Sequence, residues 1–206
     1  KVVFSPEFRV TNKQPELWEP TTGAIRLLKK YERNANATVI PLELEPLESI
    51  FVVFAKEVSS SSLVNDTDTN YPEPQTIATL AGPWTVSFDK SQKGPQAPVV
   101  FQSLYDWSTS KEDAIRYYSG TAVYRTEFTL KDIVPNSPLF INLNEVAVMA
   151  KVKVNGQYIG GVWTPPYRLN ISEAIKQGTN KVEIEVVNTW VNRLIGDSKL
   201  PVEERP

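Results

Sequence analysis

The feature that most limits the fold of this 206-residue chain is the alternation of apolar and polar residues over short segments. In residues 181–188 (KVEIEVVN) Val182, Ile184 and Val186 are apolar, and Lys181, Glu183 and Glu185 alternate with them. In residues 121–130 (TAVYRTEFTL) the same period puts five residues on one face: Ala122, Tyr124, Thr126, Phe128 and Leu130. A period of two is typical of a strand with one buried face. The sequence therefore predicts an all-β fold, a β-sandwich or jelly roll.

Other segments carry the same strand signals. Residues 83–88 (PWTVSF) and 138–143 (PLFINL) are predicted to be short strands. Residues 150–163 are predicted to form a hairpin, because an Asn155-Gly156 pair suits a type I′ turn. Many short strands separated by turn signals at this spacing favour a sandwich over a helical or α/β fold.

A change in composition divides the chain into three parts. Residues 1–56 contain apolar runs separated by Asn-rich and Pro-rich turns, which predicts a smaller β-rich segment. Residues 57–79 are rich in Ser, Asp, Asn, Thr and Pro, which favours a linker or long loop. Residues 80–206 hold the clearer strand signals, so we predict that they form the larger sandwich domain.

The composition excludes several classes of function. The chain has no His and no Cys, so a Ser-His-Asp triad, imidazole or thiolate metal ligands and disulfides are excluded. The net charge is -2, without the basic surplus that nucleic acid or an anionic membrane would require. No run of 18 apolar residues is present, so no membrane span is predicted, and the first residues carry no signal peptide.

The 24 acidic residues do not form a clear catalytic or metal-binding motif. Glu127, Glu183 and Glu185 fall on the outward faces of predicted strands, where carboxylates are usually solvated. Residues 66–70 (DTDTN) alternate Asp and Asn as calcium loops do, but lack the Gly and distant Glu of an EF-hand. We predict no catalytic residue, no metal ligand and no cofactor, and leave a structural calcium open.

Two stretches carry the residue types that bind carbohydrate. Sugars present apolar C–H faces and rings of hydroxyls, so their sites combine aromatic platforms with Asn, Asp and Arg. Residues 161–168 (GVWTPPYR) and 187–197 (VNTWVNRLIGD) both follow predicted strands and are interpreted as loops at one end of the sandwich. The candidate carbohydrate-binding residues are Trp163, Tyr167, Arg168, Trp190, Asn192, Arg193 and Asp197.

The same residues also admit a purely structural interpretation. Aromatic residues lie in protein cores more often than in binding sites, so the Trp and Tyr side chains could close the ends of the core. Arg193 and Asp197 would then form an ion pair that ties down the second loop. Exposed aromatic rings would favour sugar binding, whereas rings buried behind neighbouring strands would favour packing.

The motifs YYSGTAVY, VNG-x-x-x-GG-x-W-x-x-PY and NTWVNRLIGD together resemble the sugar-binding sandwich of large glycoside hydrolases. They are most similar to the C-terminal module of α-L-rhamnosidase-like enzymes of glycoside hydrolase family 106. They are more distantly similar to the jelly roll of the β-galactosidase and β-glucuronidase family (family 2). Near the start of the chain, residues 15–26 (PELWEPTTGAIR) and 41–54 (PLELEPLESIFVVF) resemble the β-rich segment that precedes this module.

The resemblance implies a non-catalytic role. In those enzymes the catalytic carboxylates lie on an upstream (β/α)₈ barrel, which would make that domain a partner within the same polypeptide. It also implies a galactose-binding-like fold, carbohydrate as a partner, a bacterial secreted parent acting on polysaccharide, and a periplasmic or extracellular location. By position, Asp197 is the candidate equivalent of an Asp that contacts substrate, with Asn192 and Arg193 shaping its loop. The end of the chain looks cut, since such modules usually continue into a final strand.

Three hypotheses remain from the sequence. The chain is an accessory module that binds glycan for a hydrolase acting on rhamnose-containing plant polysaccharide. Alternatively, it is a structural module that packs against the catalytic barrel and has no sugar affinity. The third hypothesis is a self-sufficient enzyme or an unrelated adhesion sandwich.

Overall fold

The computed structural model describes residues 1–57, 69–133 and 137–205. The chain divides into two compact units, Lys1–Gln75 and Thr76–Pro206. This division lies inside the region whose composition favours a linker. Two residues of that region nevertheless make specific contacts with the core of the first unit. Asn70 is buried and its side chain bonds the backbone of Lys30, while Tyr71 packs against the core.

In the residues that the structure describes, the first unit contains eight short strands. They are β1 (Val2–Phe4), β2 (Glu7–Phe8), β3 (Lys13–Trp18), β4 (Ile25–Leu27), β5 (Glu32–Arg33), β6 (Thr38–Val39), β7 (Leu42–Leu44) and β8 (Phe51–Glu57). They pair into three small antiparallel sheets, with orders β1-β7, β2-β6-β5 and β4-β3-β8. One apolar cluster lies between them, formed by Leu17, Leu28, Tyr31, Ile40 and Leu42.

The second unit also contains eight strands. They are β9 (Trp84–Phe88), β10 (Val99–Phe101), β11 (Thr121–Leu130), β12 (Phe140–Asn142), β13 (Met149–Val154), β14 (Gln157–Val162), β15 (Arg168–Asn170) and β16 (Gly178–Val187). Six of them form one antiparallel sheet of order β10-β9-β11-β16-β13-β14, and β12 pairs with β15. The predicted all-β sandwich is confirmed.

The predicted alternation decides which face of the large sheet is buried. Ile184 of β16 lies beside Tyr124 of β11 and Val152 of β13, and all three side chains are buried. Ile141 and Leu169, from the β12-β15 pair, belong to the same apolar cluster, so the pair closes the core from the other side. This burial of apolar side chains on both inner faces is what makes the second unit a sandwich.

The outward face of the large sheet carries the charges that the alternation predicts. Glu183 accepts a hydrogen bond from Arg125 at 2.8 Å and pairs with Lys153 at 2.9 Å. The Lys153 ammonium lowers the pKa of the Glu183 carboxyl, against a smaller opposing effect of desolvation, and the carboxylate raises the pKa of Lys153. Glu185 pairs with Lys151. Each is a cross-strand pair on a solvated surface and contributes modestly to the stability of the sheet.

Two α-helices accompany these strands, α1 (Asp113–Arg116) and α2 (Val191–Ser198). The segment 187–197, interpreted from sequence as a strand-end loop, instead turns into α2 after Trp190. The interpretation as a loop was wrong, because mixed polar and aromatic residues around Gly196 obscure a short helix. None of the helices in the described part of the chain is long and apolar enough to cross a membrane.

Candidate functional site

The two candidate stretches leave the large sheet at the same end. Strands β14 and β16 both run antiparallel to β13, so they point in the same direction. Val162 at the end of β14 lies opposite Ala150, and Val187 at the end of β16 lies opposite the preceding residue, Met149. Because strands in a sheet are about 4.8 Å apart, the two stretches begin about two strand spacings from each other.

The first stretch, residues 163–168, combines an exposed indole with an anchored tyrosine. Trp163 is 57% exposed, whereas Tyr167 is partly buried and packs against the core. The backbone carbonyl of Tyr167 accepts a hydrogen bond of 2.8 Å from the Leu143 amide, which fixes the segment to the chain that follows β12. Tyr167 therefore helps to hold the stretch in place, and Trp163 is available to a ligand.

Arg168 belongs to a small exposed surface that we call the β12-β15 face. In this pair Phe140 lies opposite Asn170, and Asn142 lies opposite Arg168, and all four residues are exposed. The guanidinium carbon of Arg168 lies 4.9 Å from the centre of the Phe140 ring. This distance allows a cation–π contact, which orients the guanidinium over the aromatic ring.

The hydrogen bonds of the two asparagines leave their donors available. The Asn142 side-chain oxygen accepts from the Asn144 amide, and the Asn170 side-chain oxygen accepts from the amide and hydroxyl of Ser172. Among the described residues, neither amide nitrogen has a hydrogen-bond partner in the protein. The β12-β15 face thus offers an aromatic ring, a guanidinium and two amide donors, the groups that can bond sugar hydroxyls and cover a C–H face.

The second stretch forms α2, and its charged residues bond each other. The Arg193 guanidinium donates from Nε to Asp197 Oδ2 at 2.9 Å and from Nη2 to Asp197 Oδ1. Both side chains are largely shielded from solvent, so this i, i+4 pair is bidentate and fixed. The ion pair expected under the structural interpretation is present. Asn192 is partly buried on the same helix, and Trp190 at its start is 78% exposed.

The polar side of α2 packs against the chain that precedes β11. A Cβ added to Gly196 would lie 2.7 Å from the Tyr117 Cβ, so only glycine permits this approach. The Arg193 amide donates to the Ser119 hydroxyl, and Lys199 donates to the Tyr117 hydroxyl. The hydrogen bond from Lys199 lowers the pKa of Tyr117.

The side chain of Asn188 fixes the chain just before α2. Its oxygen accepts from the Gly120 amide at 2.9 Å, and its nitrogen donates to the Tyr118 carbonyl at 2.8 Å. The Asn188 side-chain amide thus bonds backbone groups just before β11, as a neighbouring strand would do.

Packing through this side leaves the apolar side of α2 in solvent. Trp190, Val191, Leu194 and Ile195 are all exposed, and we call them the α2 stripe. Surface helices normally turn their apolar side to the core. The orientation of α2 is therefore the reverse of the usual one, with its apolar side chains exposed.

The described residues do not contain three grouped His, Cys, Asp or Glu side chains that could hold a metal ion. The calcium interpretation of residues 66–70 falls mostly on residues 66–68, which lie outside the described residues. It therefore stays a prediction.

The second unit is thus an all-β sandwich whose exposed surfaces carry aromatic and polar side chains. Residues 103–204 match the family model described as glycosyl hydrolase 2 galactose-binding domain-like, which confirms the predicted galactose-binding-like fold.

Two known proteins are similar to the chain. The structure of a rhamnosidase from Novosphingobium sp. PP1Y is similar over 96% of this chain and 18% of its own, with 37% identity and a TM-score of 0.86. A protein of Formosa agariphila named "Putative beta-glucuronidase" is 42% identical over 132 residues, which are 63% of this chain and 11% of that protein. The chain therefore spans less than a fifth of the length of either relative.

Sequence reasoning missed three residues of the β12-β15 face, Phe140, Asn142 and Asn170. The signal was available, because the alternation in residues 138–143 that turns Ile141 inward also turns Phe140 and Asn142 outward. The hydrogen bonds of the two candidate stretches, as far as the structure describes them, run within each stretch or to other parts of the second unit, and not between the stretches.

Proposed function

We propose that the chain is a non-catalytic accessory portion of a larger glycoside hydrolase that acts on rhamnose-containing plant polysaccharide. Its second unit contacts carbohydrate through the β12-β15 face and Trp163. We further propose that the parent protein is bacterial and acts in the periplasm or outside the cell.

Three findings support this function. Most of the second unit, residues 103–204, matches a galactose-binding-like family model of glycosyl hydrolase domains. The chain is similar over nearly all of its length to part of a rhamnosidase. The carboxylates of the large sheet bond neighbouring cations, an arrangement that favours a structural role over that of an acid and base flanking a scissile bond.

The observation that carries the carbohydrate proposal is the exposed Arg168–Phe140 pair between two asparagines. A planar guanidinium can donate two parallel hydrogen bonds to adjacent sugar hydroxyls. The Phe140 ring supplies an apolar surface beside the guanidinium. Trp163, which carries an exposed indole, lies five residues before Arg168 in the chain.

The test is a titration of the purified chain with L-rhamnose, D-galactose and rhamnose-containing pectin fragments. Binding is followed by tryptophan fluorescence, since the chain has five Trp, and by calorimetry. We expect a saturable signal that Arg168→Ala weakens by at least about tenfold, because hydrogen bonds to a charged group contribute about 1.5–3 kcal/mol. Arg9→Ala, which removes an exposed arginine of the first unit, is the matched control and should have no effect. A folded sample that gives no saturable signal with any of these sugars would overturn the carbohydrate role.

The second candidate function is structural packing against the catalytic domain, and the exposed α2 stripe favours it. The same titration separates the two roles of the second stretch. If Trp190→Ala weakens sugar binding as strongly as Arg168→Ala, the helix belongs to the sugar site. If it leaves sugar binding unchanged, the stripe is assigned to packing, and the Arg193–Asp197 pair serves to hold the helix.

A further inference from the structure

The three-stranded sheet β4-β3-β8 of the first unit has an unusual outer face. Trp18 lies between Ile25 and Phe51 in the cross-strand register, and Glu16 lies between Leu27 and Val53. Side chains two residues apart on a strand share a face, so these residues form two adjacent rows. We call this set the β3 array: Glu16, Trp18, Ile25, Leu27, Phe51 and Val53.

Four of the five apolar members of the array are left uncovered by the described residues of the first unit, and Val53 is partly buried. Trp18, Ile25, Leu27 and Phe51 are all exposed, with Phe51 at 60%. The opposite face of the sheet supplies the core, where Leu17 is buried and Val52 and Phe54 pack. Contiguous exposed apolar side chains of this size mark an interaction surface more often than an ordinary protein surface.

Glu16 is the exception within the array. It is only 6% exposed, although the side chains around it are apolar. Among the described residues, its carboxylate has one hydrogen bond, accepted by Oε2 from the Trp18 indole at 3.0 Å. A carboxylate in such surroundings is costly unless it is paired, so anything that covers the array must also supply a charge or donor for Glu16.

We propose that the β3 array is a docking surface for another part of the same larger polypeptide, one that presents an arginine or lysine among apolar side chains. The apolar rows would be covered by apolar side chains, and the cation would bond the Glu16 carboxylate. The inference rests on the proposed function in one respect, that the chain is part of a larger glycoside hydrolase. It does not depend on the carbohydrate role of the second unit.

The chemistry of the array disfavours the other occupants. A second copy docked by a two-fold axis through the array would bring two Glu16 carboxylates towards each other, which is repulsive. An anionic lipid surface would likewise face a carboxylate, not a cation. A sugar would have few hydrogen-bonding partners, because Glu16 is the one carboxylate among the six side chains and already accepts a bond from the Trp18 N–H.

The test compares thermal unfolding of variants in two contexts, the chain alone and the complete polypeptide encoded by the reading frame that contains it. Glu16→Gln keeps an acceptor for the Trp18 N–H but removes the charge. In the chain alone we expect no loss of stability. In the complete polypeptide we expect the folded-to-unfolded ratio to fall more than about tenfold, because the partner cation is left buried and unpaired. Glu32→Gln, at an exposed carboxylate of another sheet in the same unit, should be neutral in both contexts.

A second pair of variants tests the apolar rows. Phe51→Ser should destabilise the complete polypeptide more than the chain alone, whereas Leu47→Ser, at an exposed leucine outside the array, should not distinguish the contexts. The proposal is overturned if Glu16→Gln changes stability equally in the chain alone and in the complete polypeptide, and Phe51→Ser does so as well. Self-association of the chain that Phe51→Ser abolishes would also overturn it, as would saturable sugar binding that Trp18→Ala abolishes. The sugar titration tests carbohydrate binding by the second unit, and the stability comparison tests docking on the first unit. Either experiment can give a negative result while the other is positive, so the two proposals are separable.

Discussion

Gly196→Ala sets two effects of known size against each other in α2. Alanine is favoured over glycine inside a helix by about 0.5–1 kcal/mol, so propensity alone predicts that this substitution stabilises the protein. The new Cβ, however, would lie 2.7 Å from Tyr117 Cβ and 2.8 Å from Tyr117 Cγ. Carbon atoms in contact are normally about 3.5–4.0 Å apart, so the overlap is close to 1 Å.

A rotation of the Tyr117 side chain cannot remove this overlap, because Tyr117 Cβ itself is one of the two atoms. The helix would have to move away, and that movement strains the hydrogen bonds from the Arg193 amide to Ser119 and from Lys199 to Tyr117. Overpacking of this kind typically costs about 1–3 kcal/mol. Subtracting the propensity gain of about 0.5–1 kcal/mol, we expect Gly196→Ala to lower the free energy of unfolding by about 0–2.5 kcal/mol, with a central value of about 1 kcal/mol.

Urea unfolding followed by circular dichroism measures this change, with Val191→Ala as the matched control. Val191 is exposed on the opposite side of α2, so its replacement should change stability by only a few tenths of a kcal/mol. Hydrogen exchange of the α2 amides should also be faster in Gly196→Ala than in Val191→Ala. If Gly196→Ala raises the stability by the full propensity gain, the close packing of α2 on Tyr117 is not a constraint and the reasoning fails.

Two further substitutions test other contacts of the second unit. Arg193→Ala leaves Asp197 without its bidentate partner in a largely shielded position, so we expect a loss of about 1–3 kcal/mol in unfolding free energy; a double mutant with Asp197→Ala should lose less than the sum of the single changes, and strict additivity would show that the pair is not coupled. Burial raises the pKa of Tyr124 to about 12, against the opposing hydrogen bond that its hydroxyl accepts from Trp107. The folded chain therefore keeps this proton where the unfolded chain loses it, so stability is full below about pH 10 and should fall by up to about 1.4 kcal/mol per pH unit from there to about pH 12. Tyr124→Phe should remove that part of the alkaline slope, and a slope unchanged by the substitution would refute the assignment.

Much of the second unit could be predicted from the sequence because its strands obey a simple period. The alternation in residues 121–130 and 181–188 identifies the buried sides of β11 and β16, and the Asn155-Gly156 turn identifies the β13-β14 hairpin. The outward charges also follow, since neighbouring residues along a strand point to opposite faces of the sheet, and the face away from the core is in contact with solvent.

The failures have specific physical causes. Helix α2 was missed because it contains a glycine and turns its apolar residues to solvent, so neither propensity nor the usual burial pattern identifies it. Asn70 resembles a linker residue in composition, yet its side chain bonds the backbone at Lys30 and Pro41. Glu16 alternates with the core residues of β3, as a solvated residue would, but Trp18 and its apolar neighbours shield it. These outcomes depend on contacts between residues distant in sequence, or on which surface meets a partner.

The two sides of α2 have a consequence for how this chain can vary. Gly196, Arg193 and Asp197 secure the helix, and none of them belongs to the exposed stripe. Substitutions at Trp190, Val191, Leu194 and Ile195 can therefore change what the helix recognises with little effect on whether the second unit folds. A library that randomises these four positions should yield mostly folded proteins, so α2 is a site at which new binding specificity could be selected on an unchanged sandwich.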